Sequence, residues 1–564
     1  MDDDSAETIT AGTLLGIQHP PGYALDTLWV RLFAFLPLGG AAFRVNLGSA
    51  FLGALGVFLF FLLSRRVLGF LDPGKAGSLR IWILPASLFA SFCLGFSHTQ
   101  WEKALGAKGG IYLIQEVLLL GILYVRLSVP GPKGFLLACL LSGMGLANHW
   151  ETQVLFLPLL AVFFWPLGPA DRTALPKEWA PYGPPFLFLG LSPLLLLPLR
   201  AHLDPLPDLG HPDHWDRFLK CIFRGYTFGR EPGLLGSLWD IARGTGSWAV
   251  LGSVWTRIWK EQVSYIPVHF WNNPGPLALA FGVLAILGAG RAGARKILVL
   301  VFLPLVPLLA VFTVALWVPL NVPHAWLMDN YLLPADALVC LLAAMGLGIL
   351  DRLKEGPTKP HILWFFALLV LFNGATAYRL MNETKQTLRY DYGTNLLRSL
   401  PKASLFFAEG DEDYFPLYYL QLVEGRRPDV RMIPSFTLFE TWGWDQLERS
   451  HPELGLGSRE GVPDDPYHRI ETALGRLVSK GRDRIPIGYS YFSGAFHHYY
   501  LQGQGTAKAL PSGNLLLLET RALQGVDLLA PGGLRLRHFT DCPSNAHPSL
   551  TGIWRVYRAV GVAP

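Results

Sequence analysis

The chain has 564 residues, of which 51% are hydrophobic and only 16% charged, and its mean hydropathy is +0.33; soluble domains carry about 25% charge. The net charge of +5 points neither to nucleic acid nor to a strongly acidic partner. Five cysteines (Cys93, Cys139, Cys221, Cys340, Cys542) show no CxxC spacing and no zinc pattern, which leaves them without a metal or redox role, although Cys221 and Cys542 could in principle pair.

Residues 1–40 read as a first extramembrane loop. It opens on the acidic stretch Met1-Asp2-Asp3-Asp4, with no signal peptide before it. If Asp4-Ser5-Ala6-Glu7 is helical, Asp4 and Glu7 are three residues apart and share a face. Two such carboxylates suit a general base and its orienting partner; an acidic, solvated tail is the plainer reading. His19 precedes Pro20-Pro21 in a rigid, non-helical turn, as an exposed polar residue or as a contact to phosphate or sugar.

From Ala41 to Tyr378 apolar runs recur between short basic loops, the pattern of a polytopic α-helical membrane protein. Roughly ten spans are predicted: 42–64, 81–97, 111–127, 135–148, 152–167, 184–200, 270–289, 297–317, 331–350 and 361–378. Arg44 and Asn46 stand at the outer mouth of the first. Arg44 either snorkels to the headgroups or pairs with a lipid phosphate, whose oxygens fit its guanidinium fork. Alternate loops carry Arg65/Arg66/Lys75/Arg80, Lys133, Arg172/Lys177, Arg291/Arg295/Lys296 and Arg352/Lys354/Lys359. The positive-inside rule makes these cytoplasmic and places 1–40, 98–110, 201–262 and the C-terminal part outside.

Two polar segments interrupt the apolar pattern. Leu146-Ala147-Asn148-His149-Trp150-Glu151-Thr152 is an outer loop or the floor of a cavity. After Leu199-Arg200 the outer loop carries His202, Asp204, Asp208, His211, Asp213, His214, Asp216, Arg217 and Arg224. The spacing of these residues fits no compact set of metal ligands, and a solvated loop explains them as well. Beyond Arg379 charge returns, and residues 379–564 read as a soluble α/β domain. Its predicted strands are Leu405–Ala408, Val430–Ile433 and Ile485–Tyr489, with an amphipathic helix through Tyr414–Val423.

At these residues the sequence resembles the protein O-mannosyltransferase-like membrane proteins (glycosyltransferase family 117). The first block, from Asp4 to Phe60 with its D-S-x-E, H-P-P-G-Y and R-V-N-L elements, is the most specific. The likeness continues at Gly145–His149, from Leu197-Pro198-Leu199-Arg200-Ala201 to Tyr226, and through Gly410–Gln421 and Glu424–Val430. It implies a GT-C architecture with an active site on the outer face and a sugar carried on polyprenyl phosphate as donor. Asp4 then matches the base and Glu7 its acidic neighbour, while His19, Arg44, Asn46, Asn148, His149 and Arg200 line the substrate cavity.

Two features depart from the family. Its first transmembrane helix has no counterpart, so a helix is expected to be missing ahead of Met1. In the second outer loop Lys108-Gly109-Gly110-Ile111-Tyr112 puts Gly110 where the family carries a carboxylate.

The function expected is transfer of a mannose-like sugar, with inversion, to a hydroxyl of an exported polypeptide. It would take place at the outer face of a bacterial cytoplasmic membrane and need no cofactor, with a divalent ion left open. A lipid or cell-wall glycan acceptor, a lipid-linked-sugar transporter and an inactive scaffold are the rival readings. The absence of a P-loop or G-x-G-x-x-G fingerprint agrees with a lipid donor that carries its own leaving group. No internal symmetry of the transporter kind is visible.

Overall fold

The computed structural model describes residues 4–71, 79–166, 175–224, 247–290, 295–311, 322–353, 387–481, 485–490, 509–512, 514–518 and 526–530, with isolated residues between 364 and 378 and between 534 and 558. Contacts divide the chain into two units, one of residues 1–22, 198–221 and 383–564, the other of residues 23–197 and 222–382. The boundaries expected in chain order, 40 and 378, therefore differ from the grouping by contact.

In the first unit, α1 (Ser5–Leu14) begins at Asp4 and ends where Leu15 turns left-handed at φ 54°. Its residues Ser5 to Gly12 are all buried, so the solvated acidic tail does not describe this segment. Burial follows from packing: α1 lies on the helix Asp411–Tyr418 and its π-helical continuation to Val423. After α1 the chain runs past the 198–221 segment so closely that a side chain at Gly16 would come within 2.5 Å of the Pro207 carbonyl. Ile17 and Asp208 form a parallel bridge there, with Ile17 N donating to Pro207 O at 2.8 Å.

The C-terminal part of this unit holds a five-stranded sheet in the order β2-β1-β3-β5-β4. Its strands are β1 (Leu405–Ala408), β2 (Arg431–Pro434), β3 (Ile487–Ser490), β4 (Ala509–Ser512) and β5 (Leu515–Leu518). Strands β2, β1 and β3 run parallel, as βαβ connections require, and lie within two residues of their predicted positions. The antiparallel β4–β5 pair closes the far edge and was not anticipated. Phe407, Ile433, Trp444, Ile487 and Tyr489 form the core beneath the sheet.

The second unit begins with α2 (Ala24–Ala34), α3 (Ala41–Phe70), α4 (Leu79–Gly95), α5 (His98–Leu105), α6 (Gly109–Ser128) and α7 (Pro132–Gln153). Among the described residues four helices are long and apolar enough to cross a membrane: Ala41–Phe70, Gly109–Ser128, Lys177–Ala201 and Met328–Leu350. They contain the expected spans 42–64, 111–127, 184–200 and 331–350, and the chain is an integral membrane protein. The expected span 270–289 is a helix pair, Ser264–Asn272 and Pro276–Gly288, bent by 113°. Gly275 at φ 88° and Pro276 at the start of the second helix explain the break. Segment 81–97 falls on α4, 135–148 on α7, 152–167 on the 3-10 helix Val154–Phe164 and 297–317 on the helix Arg295–Ala310. These are shorter or interrupted, and 361–378 lies largely outside the described residues.

Helix α7 meets the helix Gly183–Gly190 through glycine. A Cβ at Gly143 would lie 2.0 Å from Leu187 O, and one at Gly190 would lie 2.2 Å from Leu140 O. Close backbone approach through small residues is the usual way to pack helices in lipid, where burying apolar surface gives no drive.

Candidate active site

Each expected site residue falls in one of the two units. Asp4, Glu7, His19 and Arg200 belong to the first; Arg44, Asn46, Asn148 and His149 belong to the second.

In the first unit the helical spacing of Asp4 and Glu7 is realised at the start of α1. The turn formed by His19 to Gly22, closed by Gly22 N donating to His19 O at 2.9 Å, returns the chain to them. Glu7, 1% exposed, accepts from His19 N at 2.6 Å on one oxygen and meets His19 Nδ1 at 2.7 Å with the other. Behind them Thr8 Oγ1 donates to Gln18 Oε1 at 3.0 Å, a buried pair the sequence reading missed. Asp4, Glu7 and His19 each offer one ligand atom, all within 4.8 Å of one another. Among the described residues this trio could hold a divalent cation, which would then displace the direct Glu7–His19 contact.

Arg200 has a specific place in the same unit. Its Nε donates to Leu15 O at 2.6 Å and its Nη2 to Leu14 O at 3.4 Å, which satisfies carbonyls that the end of α1 leaves open. The His/Asp-rich segment is only partly solvated. Asp208, 2% exposed, accepts from His211 N at 2.7 Å and meets His211 Nδ1 at 2.7 Å, while the His211 ring stacks on Trp442. Burial pushes the His211 pKa down, but Asp208, with Asp213 and Asp204, outweighs it and holds the imidazole above its ordinary 6.5. Tyr414, on the helix under α1, has its hydroxyl pKa raised well above 10 by burial first, then by Tyr418 and by the Glu7 and Asp208 carboxylates. Helix α1, which carries the D-S-x-E block, thus packs on the Gly410–Gln421 block, and the chain just after it pairs with the 198–221 segment at Asp208.

In the second unit the polar segment of α7 is not a loop. The helix continues through it with one non-helical residue, His149 (φ −144°, ψ 85°), where the chain kinks. Asn148 Nδ2 donates to Ile111 O at 2.8 Å and Gln115 Nε2 to His149 O at 2.7 Å, which ties α7 to α6. The buried His149 ring lies among Tyr23, Tyr112 and Tyr331, with Thr152 Oγ1 3.0 Å from its Nδ1. Arg44 donates from Nη1 to Leu36 O at 2.9 Å, and the buried Asn46 Oδ1 has no hydrogen-bond partner among the described residues.

The glycine at 110 has a local explanation. A Cβ there would sit 2.9 Å from Asp26 Oδ1 and 3.3 Å from Ser49 Oγ. Asp26, wholly buried on α2, brings its carboxylate to the space that a side chain at 110 would take. A second polar network was also missed: His269 joins Asp329 through Nδ1 at 2.7 Å and Asp336 through Nε2 at 2.9 Å. Asn273, at the bend of the helix pair, accepts from Thr99 Oγ1 at 2.6 Å. Neither histidine nor aspartates stand in a run that marks them in the sequence; only their cost inside apolar spans could have drawn attention.

Comparison with known proteins shows what parts of the chain resemble. Residues 4–167 match the Protein O-mannosyl-transferase TMEM260 N-terminal domain, and residues 389–453 match TMEM260-associated domain 2. The Protein O-mannosyl-transferase TMEM260 of Mus musculus is 27% identical over 493 residues, 84% of this chain and 64% of that one. Its namesake in Dictyostelium discoideum is 20% identical over 512 residues, 82% of this chain and 57% of that one. The chain thus spans less than two thirds of either relative. Among solved structures, ArnT from Cupriavidus metallidurans bound to undecaprenyl phosphate aligns over 92% of both chains with a TM-score of 0.45 at 12% identity.

Proposed function

We propose, on the premise that this chain carries the two TMEM260 domains and is a relative of that O-mannosyl-transferase family, that it is a membrane glycosyltransferase of GT-C type. It moves a mannose-like sugar from a polyprenyl-phosphate donor to a hydroxyl, that of Ser or Thr in an exported polypeptide. The observation that carries this reading is the trio Asp4, Glu7 and His19, whose ligand atoms lie within 4.8 Å of one another on a buried helix start.

The chemistry is a single displacement. The Asp4 carboxylate takes the proton of the acceptor hydroxyl as its oxygen bonds to the anomeric carbon. The bond from that carbon to the phosphate oxygen breaks, the polyprenyl phosphate leaves with the electron pair, and the anomeric centre inverts. Glu7, held by His19, fixes the trio and keeps negative charge beside the base, which favours proton uptake. In the first unit His19 and Arg200, and in the second Arg44, Asn46, Asn148 and His149, are the residues offered to sugar or phosphate. General-base catalysis of this kind contributes about 10²–10⁴-fold.

The basic loops favour an orientation with residues 1–40 and the C-terminal domain on the extracytoplasmic side, and the membrane proposed is a bacterial cytoplasmic one. The test is incubation of the purified chain with polyprenyl-phosphate mannose and either a Ser/Thr peptide or a glycan acceptor. Labelled peptide supports the reading; label on the glycan alone moves the acceptor class, and no transfer to either removes the function.

A further inference from the structure

Two cations converge on one aromatic ring in the second unit. Lys108, 3% exposed, sits immediately before α6 with its Nζ 4.6 Å from the centroid of Tyr23. Arg224 lies over the same ring at 5.9 Å and donates from Nη2 to Tyr23 Oη at 2.8 Å. Its Nε donates to Glu151 Oε1 at 2.6 Å, so among the described residues these two bonds use one N–H each of Nε and Nη2 out of five. Glu151 Oε2 lies 3.3 Å from Nδ1 of His149, whose buried Nε2 has no hydrogen-bond partner among the described residues. His149 in turn stacks on Tyr23. Two cations, one carboxylate and an imidazole with an open nitrogen leave a positive site, walled by tyrosines.

Its position adds to the charge. Lys108 is the N-cap residue of α6, a helix of 20 residues, and the positive end of a helix dipole favours an anion. Gly109 and Gly110 follow it without side chains, Gly109 packed against the Lys103 carbonyl and Gly110 beside the Asp26 carboxylate. Arg224 holds a left-handed backbone at φ 51°, a conformation that costs energy for a residue with a Cβ and survives where its surroundings fix it.

We propose that Lys108 and Arg224, gathered on Tyr23, form the cradle for the phosphate of the lipid donor, with Glu151 and His149 as positioning residues for Arg224 and for the ring. This rests on the glycosyltransferase reading for the identity of the anion and goes beyond it in assigning Lys108 and Arg224 to that anion. Lysine supplies a point charge and arginine a directional fork, a pairing suited to a phosphate monoester or diester.

The test measures binding without turnover. Full-length protein in detergent is titrated with undecaprenyl phosphate, with undecaprenol as the uncharged arm and inorganic phosphate as competitor. Wild type should prefer the phosphate lipid by at least about tenfold, and Lys108→Gln should lose about tenfold in affinity, as expected for one charge-assisted contact. Lys108→Arg should recover most of the loss. Should Lys108→Gln fail to fold, Tyr23→Phe replaces it, since it keeps the ring and removes only the hydroxyl that Arg224 grips; weaker binding is then expected. Competition by inorganic phosphate marks the headgroup as the recognised part, and its failure to compete against intact lipid binding marks headgroup and chain together; both sustain the cradle. Equal binding of undecaprenol, or wild-type affinity in Lys108→Gln or in Tyr23→Phe, overturns it. A protein that binds the lipid through Lys108 yet transfers no sugar keeps the cradle and loses the proposed reaction.

Discussion

Glu7 holds His19 twice, by the backbone amide at 2.6 Å and by ring Nδ1 at 2.7 Å, from a position on α1 that is 1% exposed. One carboxylate therefore fixes both the H-P-P-G turn and the imidazole. Glu7→Ala removes both contacts and leaves the His19 amide and ring without this acceptor. Hydrogen bonds to charged groups contribute about 1.5–3 kcal/mol, so denaturant unfolding should show a loss of that order. Glu7→Gln, which keeps an acceptor for the amide, should lose less. Wild-type stability in Glu7→Ala would contradict the contact.

Asp26 and position 110 compete for one space. Gly110→Asp alone would bring a second carboxylate against Asp26 Oδ1, 2.9 Å from the new Cβ, and two buried like charges this close repel strongly. A marked drop in melting temperature is expected for that variant. Asp26→Ser combined with Gly110→Asp should regain part of it, a positive coupling in a double-mutant cycle. Additive losses would mean that the two positions do not share the space.

The α7 packing rests on glycine. Gly190→Ile places a branched side chain where even a Cβ comes 2.2 Å from Leu140 O. Overpacking costs about 1–3 kcal/mol where the neighbours can shift, and here the neighbour is backbone, so the expected loss lies at the top of that range or above. The readout is the monodisperse fraction in detergent and its melting temperature. Unchanged behaviour would show that α7 and the helix Gly183–Gly190 are not in contact there.

In the C-terminal domain Asp413 is buried and accepts from Tyr392 Oη at 2.8 Å and from Ser490 Oγ. Burial raises its pKa from 3.8 to about 7, partly offset by these two hydrogen bonds. The folded state thus keeps a proton that the unfolded state releases, and between pH 4 and pH 7 stability falls as pH rises. Below pH 4 both states are protonated and above about pH 7 both are ionised, so the slope flattens. Asp413→Asn should remove this component. Chemical unfolding of both proteins from pH 4 to pH 8 checks it, and an equal slope in the two would contradict it.

Much of this architecture can be read directly from residue patterns. The apolar runs locate the four long helices, and short apolar strands separated by a polar helix locate β1, β2 and β3 within two residues. Helical spacing alone puts Asp4 and Glu7 on one face. Pairings across long sequence distances are not written in local patterns. The burial of α1 by Asp411–Val423, the capping of α1 by Arg200 and the gathering of Lys108 and Arg224 on Tyr23 depend on the assembled fold. Lys108 in particular drew notice only as part of a segment whose Gly110 stands where the family carries a carboxylate, since a lysine among glycines carries no periodic signal. The polarity of the Asn148–His149 segment suited an outer loop or a cavity floor; it is a kinked helix, with Asn148 Nδ2 on Ile111 O and His149 Nδ1 beside Thr152, while His149 Nε2 has no hydrogen-bond partner among the described residues.

The central claim is sugar transfer from a lipid phosphate with Asp4 as base. It is tested most directly by following labelled mannose from polyprenyl-phosphate mannose to a Ser/Thr peptide with purified wild type and Asp4→Asn at matched folding. Transfer by wild type and a fall of about 10²–10⁴-fold in the variant are expected. Equal rates in the two proteins, or no transfer by either while the donor still binds, would contradict the claim.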